Sequence, residues 1–330
     1  MTVGEVSVLD VLRARRGSGS EPGRRDDGFR VALAIEGGGN RAAYSAGMAL
    51  ALDEAGLTTA LDDVYGTSGG ALTAAWLLTG EAQRWIRSWA WPEVAAAGVT
   101  DPRRLLRGGP LVDLARLVHH VYESITPMDF EAVLTSGTRL HPIATDTATG
   151  ESADLAPFLR DRLSVQTALR ASACMPLLAG RPVRLGGRTF VDGGLSEGVP
   201  FRTALAQGAT HVLVLRTRRL DQRAAAPSRV ERLALAPYFW RHGRAAGVAH
   251  AARHRSYADD DVLLAAASAA DVATLVEVRP PLGSPDVSRL ASDLSAIDAA
   301  IDSGRAAMRA FLDADDADSR GPAGSVGPAH

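Results

Sequence analysis

Two short apolar runs each stop at a cluster of glycines and pass directly into a segment with helical spacing, and this pairing constrains the fold more than any other feature. Arg30–Ile35 (RVALAI) leads into Gly37-Gly38-Gly39 and then into helical spacing over Arg41–Ala55. Asp63–Tyr65 leads into Gly66-Thr67-Ser68-Gly69-Gly70, and Gly69–Leu78 continues as an apolar, helix-like stretch. A short, uniformly apolar run reads as a strand buried on both faces. The alternation then continues. Leu140–Thr145, Thr189–Val191, His211–Leu215 and Thr274–Val278 read as strands, and Val165–Ala173, Phe201–Gln207 and Val287–Leu312 as helices. Strands alternating with helices predict a mainly parallel central sheet covered on both faces, an α/β architecture.

Two stretches interrupt the pattern. Residues 80–136 are helical or irregular and carry tryptophans at 85, 89 and 91, and residues 218–270 are rich in Arg and Ala and mostly helical. Both follow a candidate site element, so both read as lid-like insertions within one domain over residues 29–312. Residues 1–28 read as a flexible lead-in and residues 313–330, rich in Asp, Ala, Gly and Pro, as a disordered tail.

Composition removes several function classes. Hydrophobic residues make up 46% of the 330, enough for a large core, and the formal net charge is −2 with no block of like charge. Nucleic-acid binding needs concentrated positive charge, so no nucleic-acid partner is expected. The single cysteine, Cys174, permits neither an internal disulfide nor a multi-cysteine metal site, and its apolar neighbours predict a buried thiol. No stretch reaches the roughly 20 apolar residues of a membrane span, and the first residues lack an apolar leader. The expected location is cytoplasmic, with reversible membrane contact left open.

Three clusters carry chemistry. Gly66-Thr67-Ser68-Gly69-Gly70 fits G-x-S-x-G between a strand and a helix, the context in which a serine hydroxyl is presented at a sharp turn. The competing reading is a glycine-rich turn with Ser68 as a helix cap. Gly37-Gly38-Gly39-Asn40-Arg41 could supply main-chain N–H donors to a developing oxyanion, with Arg41 orienting the loop or pairing with an acid. Gly37-x-Gly39-x-x-Ala42 also fits a dinucleotide fingerprint, whose acidic residue would be Asp62 or Asp63. Asp192-Gly193-Gly194 ends a strand, which puts a carboxylate at the edge where α/β sites form; the alternative is an ordinary Asp-Gly turn. None of the eight histidines follows a late strand, although His250 and His254 stay possible. A buried carboxylate with a raised pKa can replace imidazole as the base.

Taken together, in this order and spacing, the three motifs resemble the patatin-like phospholipase family. Ala144–Glu151 (ATDTATGE), Ala171–Leu178 (ASACMPLL) and Gly186–Gly194 (GGRTFVDGG) with Val199-Pro200 are also similar to it, so the resemblance spans roughly residues 30–215. It implies a three-layer α/β/α fold, a lipid or fatty-acyl ester as substrate, and no metal or cofactor. By position it implies Ser68 as nucleophile, Asp192 as base, and Gly37, Gly38 and Gly39 as the oxyanion hole. Arg41, Gly66, Gly70, Gly193 and Gly194 would be supporting residues. Glu36 stands where an aspartate is usual, and Ala42 where a glycine is common.

The expected reaction is hydrolysis of a carboxylic ester through an acyl-enzyme. Acyl transfer by the same dyad and lipid binding without catalysis are the alternatives. Pro227–Tyr257 holds six arginines, three histidines and one acid around Tyr238, Phe239 and Trp240. That composition reads either as an interfacial helix on anionic lipid or as a solvated basic helix on the core. The tryptophans at 85, 89 and 91 read as core packing or as an acyl-pocket lining.

Overall fold

Strand β1 (Val31–Ile35) is buried along its whole length and pairs in parallel with β2 (Asp63–Thr67) on one side and β7 (His211–Leu215) on the other. The computed structural model describes residues 6–270 and 272–318. In it, β3 (Arg139–Asp146) adds in parallel beyond β2, and β8 (Leu275–Val278) beyond β7. Three strands complete the sheet on the β3 side. These are β4 (Ser152–Asp154), β5 (Val183–Leu185) and β6 (Arg188–Asp192), joined by antiparallel pairs β3–β4, β3–β6 and β5–β6.

Alternate residues of the central strands feed two separate cores. Val31, Leu33 and Ile35 face α2 (Ala43–Glu54), α3 (Gly69–Leu77) and α4 (Arg162–Ser172). Ala32 and Ala34 face α5 (Phe201–Ala206) and Tyr257 and Leu264 of α7 (Arg244–Ser268). The result is a three-layer α/β/α sandwich with a mainly parallel sheet. Helix α6 (Arg229–His242) precedes α7, and α8 (Leu294–Asp318) packs its Ile297 and Ile301 against Tyr44 of α2. Among the described residues no helix is long and apolar enough to cross a membrane.

The N-terminal lead-in departs from the sequence reading. Val8–Ser18 forms helix α1, started by a Ser7–Asp10 capping box and ended by Gly19 in the left-handed region. Leu9 and Leu12 are buried, and burying a leucine side chain contributes about 1.5–3 kcal/mol. Arg15 is also buried, and ties the segment down through Asp27 and Asp62. The polar stretch that follows hid this short apolar face from a composition argument. At the other end, the expected tail begins inside α8; residues 319–330 lie outside the described residues.

The closing helix starts at Leu294, later than its spacing predicts, and β4 and β5 were not anticipated. Both are three-residue strands, too short to show a period of two.

Candidate active site

Ser68 occupies a backbone conformation that few residues with a side chain adopt, with φ 55° and ψ −124°. The elbow exists because its neighbours lack a Cβ. One added at Gly66 would sit 2.6 Å from Ala71 Cα, and one at Gly70 would meet the Ile35 and Glu36 carbonyls. Ser68 makes no helix-cap bond. Its hydroxyl instead donates to Asp192 Oδ2 at 2.8 Å, and both residues are 5% exposed. Ser172 braces the elbow by accepting the Ser68 N–H at 2.9 Å and donating to the Ile143 carbonyl at 2.6 Å.

Asp192 reaches this point by a route the sequence reading did not contain. A carboxylate at the end of a parallel strand would lie at the carboxyl edge directly. β6 instead runs antiparallel to β3, pairing Asp192 with Ala144 and Phe190 with Asp146. β2 ends level with Ile143, so β6 pairs only with the part of β3 that overshoots it. The return therefore sets Asp192 down one residue beyond the end of β2, level with Ser68. Gly193 allows this approach, since a Cβ there would meet the Ile143 carbonyl; the Gly194 N–H donates to Asp192 Oδ1 at 2.8 Å. Burial raises the Asp192 pKa. The Ser68 and Gly194 hydrogen bonds, and more weakly Arg289 and Arg253, oppose that rise.

The three glycines divide into two kinds. The Gly37 N–H is committed to the Gly198 carbonyl at 3.0 Å. Gly37 instead contributes space, because a Cβ there would lie 2.8 Å from the Thr67 carbonyl. Among the described residues the Gly38 and Gly39 N–H groups have no hydrogen-bond partner. The loop is held from behind. Thr217 donates its hydroxyl to the Gly37 carbonyl at 3.0 Å and its N–H to Glu36 at 2.8 Å. Glu36 is buried against Arg216, which also reaches Asp261 and Glu277. Burial alone would raise the Glu36 carboxyl; Arg216, then Arg218 and Arg41, outweigh it and hold it at about 2.

A cavity of about 340 Å³ lies over these groups. Its lining includes the apolar side chains of Met175, Leu177, Leu178, Leu195 and Leu235 together with Arg41, Arg253 and Arg289. Arg41 makes a 3.3 Å bond to Thr217 Oγ1 and is pushed down to about 10 by burial and by Arg218. The arginines at 216, 253 and 289, with Thr217 and Ser172, escaped the sequence reading. Arg216 and Thr217 offered a signal as the residues directly after a strand, Ser172 as part of the Ala171–Leu178 stretch, and Arg253 as one of the arginines of Pro227–Tyr257.

Residues 218–270 contribute to the cavity lining, through Glu231, Ala234 and Leu235 of α6 and His250, Arg253 and Tyr257 of α7. Residues 80–136 contribute nothing to its lining among the described residues. Trp85 packs between Trp76 and Trp91, and Trp89 and Trp91 lie partly buried against the same core. His250 faces the cavity but its Nε2 lies 3.1 Å from Glu231 Oε1, while Ser68 is engaged by Asp192. The dinucleotide reading fails on position. Asp62 accepts the Val31 N–H at 2.7 Å and Asp63 opens β2, so both lie at the amino edge of the sheet. Cys174 is buried, with its thiol pushed up to about 12 by burial and Asp192.

Fold and site together define an α/β protein with a strained serine, a buried carboxylate and a donor loop at the carboxyl edge of one sheet. The chain belongs to the patatin-like phospholipase family, whose family model matches residues 33–205. It is 32% identical over 197 residues to the uncharacterized protein YjjU of Escherichia coli K12, a match that covers 57% of this chain. The chain spans about half, 52%, of that relative's length. Among solved structures, VipD from Legionella pneumophila aligns with a TM-score of 0.43 and 14% identity, covering 87% of this chain and 67% of VipD. Human GIVD cytosolic phospholipase A2 aligns with a TM-score of 0.42 and 16% identity, covering 93% and 61%.

Proposed function

We propose that this chain is a lipid acyl hydrolase of the phospholipase A or esterase type, working through a Ser68–Asp192 dyad. The observation that carries the reading is the 2.8 Å hydrogen bond from the Ser68 hydroxyl to a buried carboxylate whose pKa is raised. A base must be able to accept a proton, and burial without a close counter-charge supplies that capacity.

The steps follow from the groups present. Asp192 Oδ2 takes the Ser68 proton as Oγ bonds to the ester carbonyl carbon. The carbonyl oxygen becomes anionic and is met by the Gly38 and Gly39 N–H groups. The tetrahedral centre collapses, the C–O bond to the alcohol breaks, and Asp192 returns its proton to that alcohol. Water then enters, gives a proton to Asp192 and attacks the acyl carbon, and Ser68 recovers its proton as the fatty acid leaves. The apolar lining residues suit the acyl chain. Arg41, Arg253 and Arg289 in the lining suit an anionic head group such as a phosphate diester.

The test is a panel of neutral and anionic lipid esters with mass-spectrometric product readout, run on wild type and Ser68→Ala. Free fatty acid from wild type alone, with a fluorophosphonate probe labelling wild type and not Ser68→Ala, is the expected result. Fatty acid release by Ser68→Ala would overturn the proposal. Transfer of the acyl group to an added alcohol in preference to water would move the reading to acyltransferase.

A further inference from the structure

Helix α6 has a second face that the catalytic reading does not use. With 3.6 residues per turn, Leu235, Tyr238 and Phe239 fall on one side, where they pack with Val191 and Leu195. Val230, Leu233, Pro237 and Trp240 fall on the opposite side. The three large ones are 76%, 75% and 71% exposed. A helix covering a core normally turns polar residues outward, and this one turns an apolar stripe outward. Arg229, Arg232 and Arg241 border the stripe, all exposed, and among the described residues none of their guanidinium groups has an ion-pair or hydrogen-bond partner. The only acid on the helix, Glu231, is drawn inward to Arg253 and His250. Its outer face is therefore apolar with a purely cationic border.

We propose that the outer face of α6 docks on a lipid bilayer bearing anionic head groups. Val230, Leu233 and Trp240 enter the interfacial layer, and the three arginines meet the phosphates. Charge complementarity favours this occupant over a second copy of the chain, because a two-fold contact through this stripe would set arginine against arginine. Ala234, which lines the catalytic cavity, is exposed on the same helix, so docking brings the cavity to the lipid. This inference rests on the lipid-ester reading for its purpose, but its test does not depend on turnover.

Trp240 supplies the readout, since Trp76, Trp85, Trp89 and Trp91 all pack against the core. The experiment uses the Ser68→Ala chain, which leaves the vesicles intact, with phosphatidylcholine vesicles with and without phosphatidylglycerol. Co-sedimentation and a blue shift of tryptophan emission are expected only with the anionic vesicles, and Trp240→Phe should remove the shift. The combined Val230→Ser, Leu233→Ser, Trp240→Ser change should weaken vesicle binding by about tenfold or more. Each Arg→Gln at 229, 232 or 241 should cost about fivefold. In the chain that keeps Ser68, the triple change should leave turnover of a soluble short-chain ester unchanged. Undiminished vesicle binding by the triple variant, absence of binding by the Ser68→Ala chain, or a dimer abolished by the same triple change would overturn the proposal. Vesicle binding without any soluble-ester turnover would sink the hydrolase reading alone.

Discussion

Asp192 and Glu36 are both buried acids at the carboxyl edge of one sheet, and their surroundings drive them in opposite directions. Asp192 keeps two hydrogen-bond donors, the Ser68 hydroxyl and the Gly194 N–H, with no guanidinium in ion-pair contact. Burial dominates there, and the acid holds a proton more readily than it would in water. Glu36 is in contact with Arg216, with Arg218 3.5 Å away, and their charges overcome the same burial. The contrast separates two uses of a buried carboxylate. One left short of counter-charge can trade protons with a substrate. One saturated with counter-charge holds the donor loop in place through Arg216 and Thr217.

The largest expected effect tests the first half of that contrast. Asp192→Asn should lower soluble-ester turnover by about 10⁴-fold, the scale seen when a member of a catalytic unit is lost. It should not lower the melting temperature, since it removes an uncompensated buried charge. A variant that is active, or that melts well below wild type, would erase the distinction between the two acids.

The next effect tests the second half. Arg216→Met should destabilise the chain by about 3–5 kcal/mol, because Glu36, Glu277 and Asp261 lose a shared buried partner. Urea unfolding would measure it. Adding Glu36→Gln to this variant should recover part of the loss, and a double variant weaker than the single would mean that Glu36 is not held by Arg216.

The smallest effect is in the pH dependence, where the two acids should act with opposite sign. The pKa of Glu36 falls on folding, so its contribution to stability is present above the usual carboxylate range and fades as pH drops toward about 2. Glu36→Gln should therefore be less stable than wild type at neutral pH, with the gap closing in acid. The pKa of Asp192 rises on folding, so its contribution is present in acid and fades as pH climbs through the raised value. The proposal that Asp192 is the base predicts an acid limb in the kcat/KM profile, placed above the ordinary carboxylate range. A profile flat through that range would remove Asp192 as the base.

The parts of the site that could be read in advance are those written into local backbone. Ser68 was recognisable because a serine at positive φ between a strand and a helix needs Gly66 and Gly70 around it. The three-glycine loop and the core strands were visible for similar reasons. The Gly37 N–H, expected in the oxyanion hole, is instead taken by Gly198, a residue far along the chain. Nothing near Gly37 announces that. Arg253 looked like any other arginine in a segment rich in them, and Arg289 stands in a loop stretch with no motif around it. Helix α1 was hidden beside a polar stretch, although its capping box and buried leucines are strong once the packing is known.

By itself the sequence determined the strand–glycine–helix units, the elbow serine and the identity of its acidic partner. Each of these depends on backbone conformations and close approaches that particular residue types permit. Only the tertiary structure decided that β6 returns antiparallel along the overhang of β3, which N–H groups stay free, and which arginines face the cavity. Those outcomes depend on strand register and on contacts between distant segments, and a residue type carries no record of which distant neighbour it will meet.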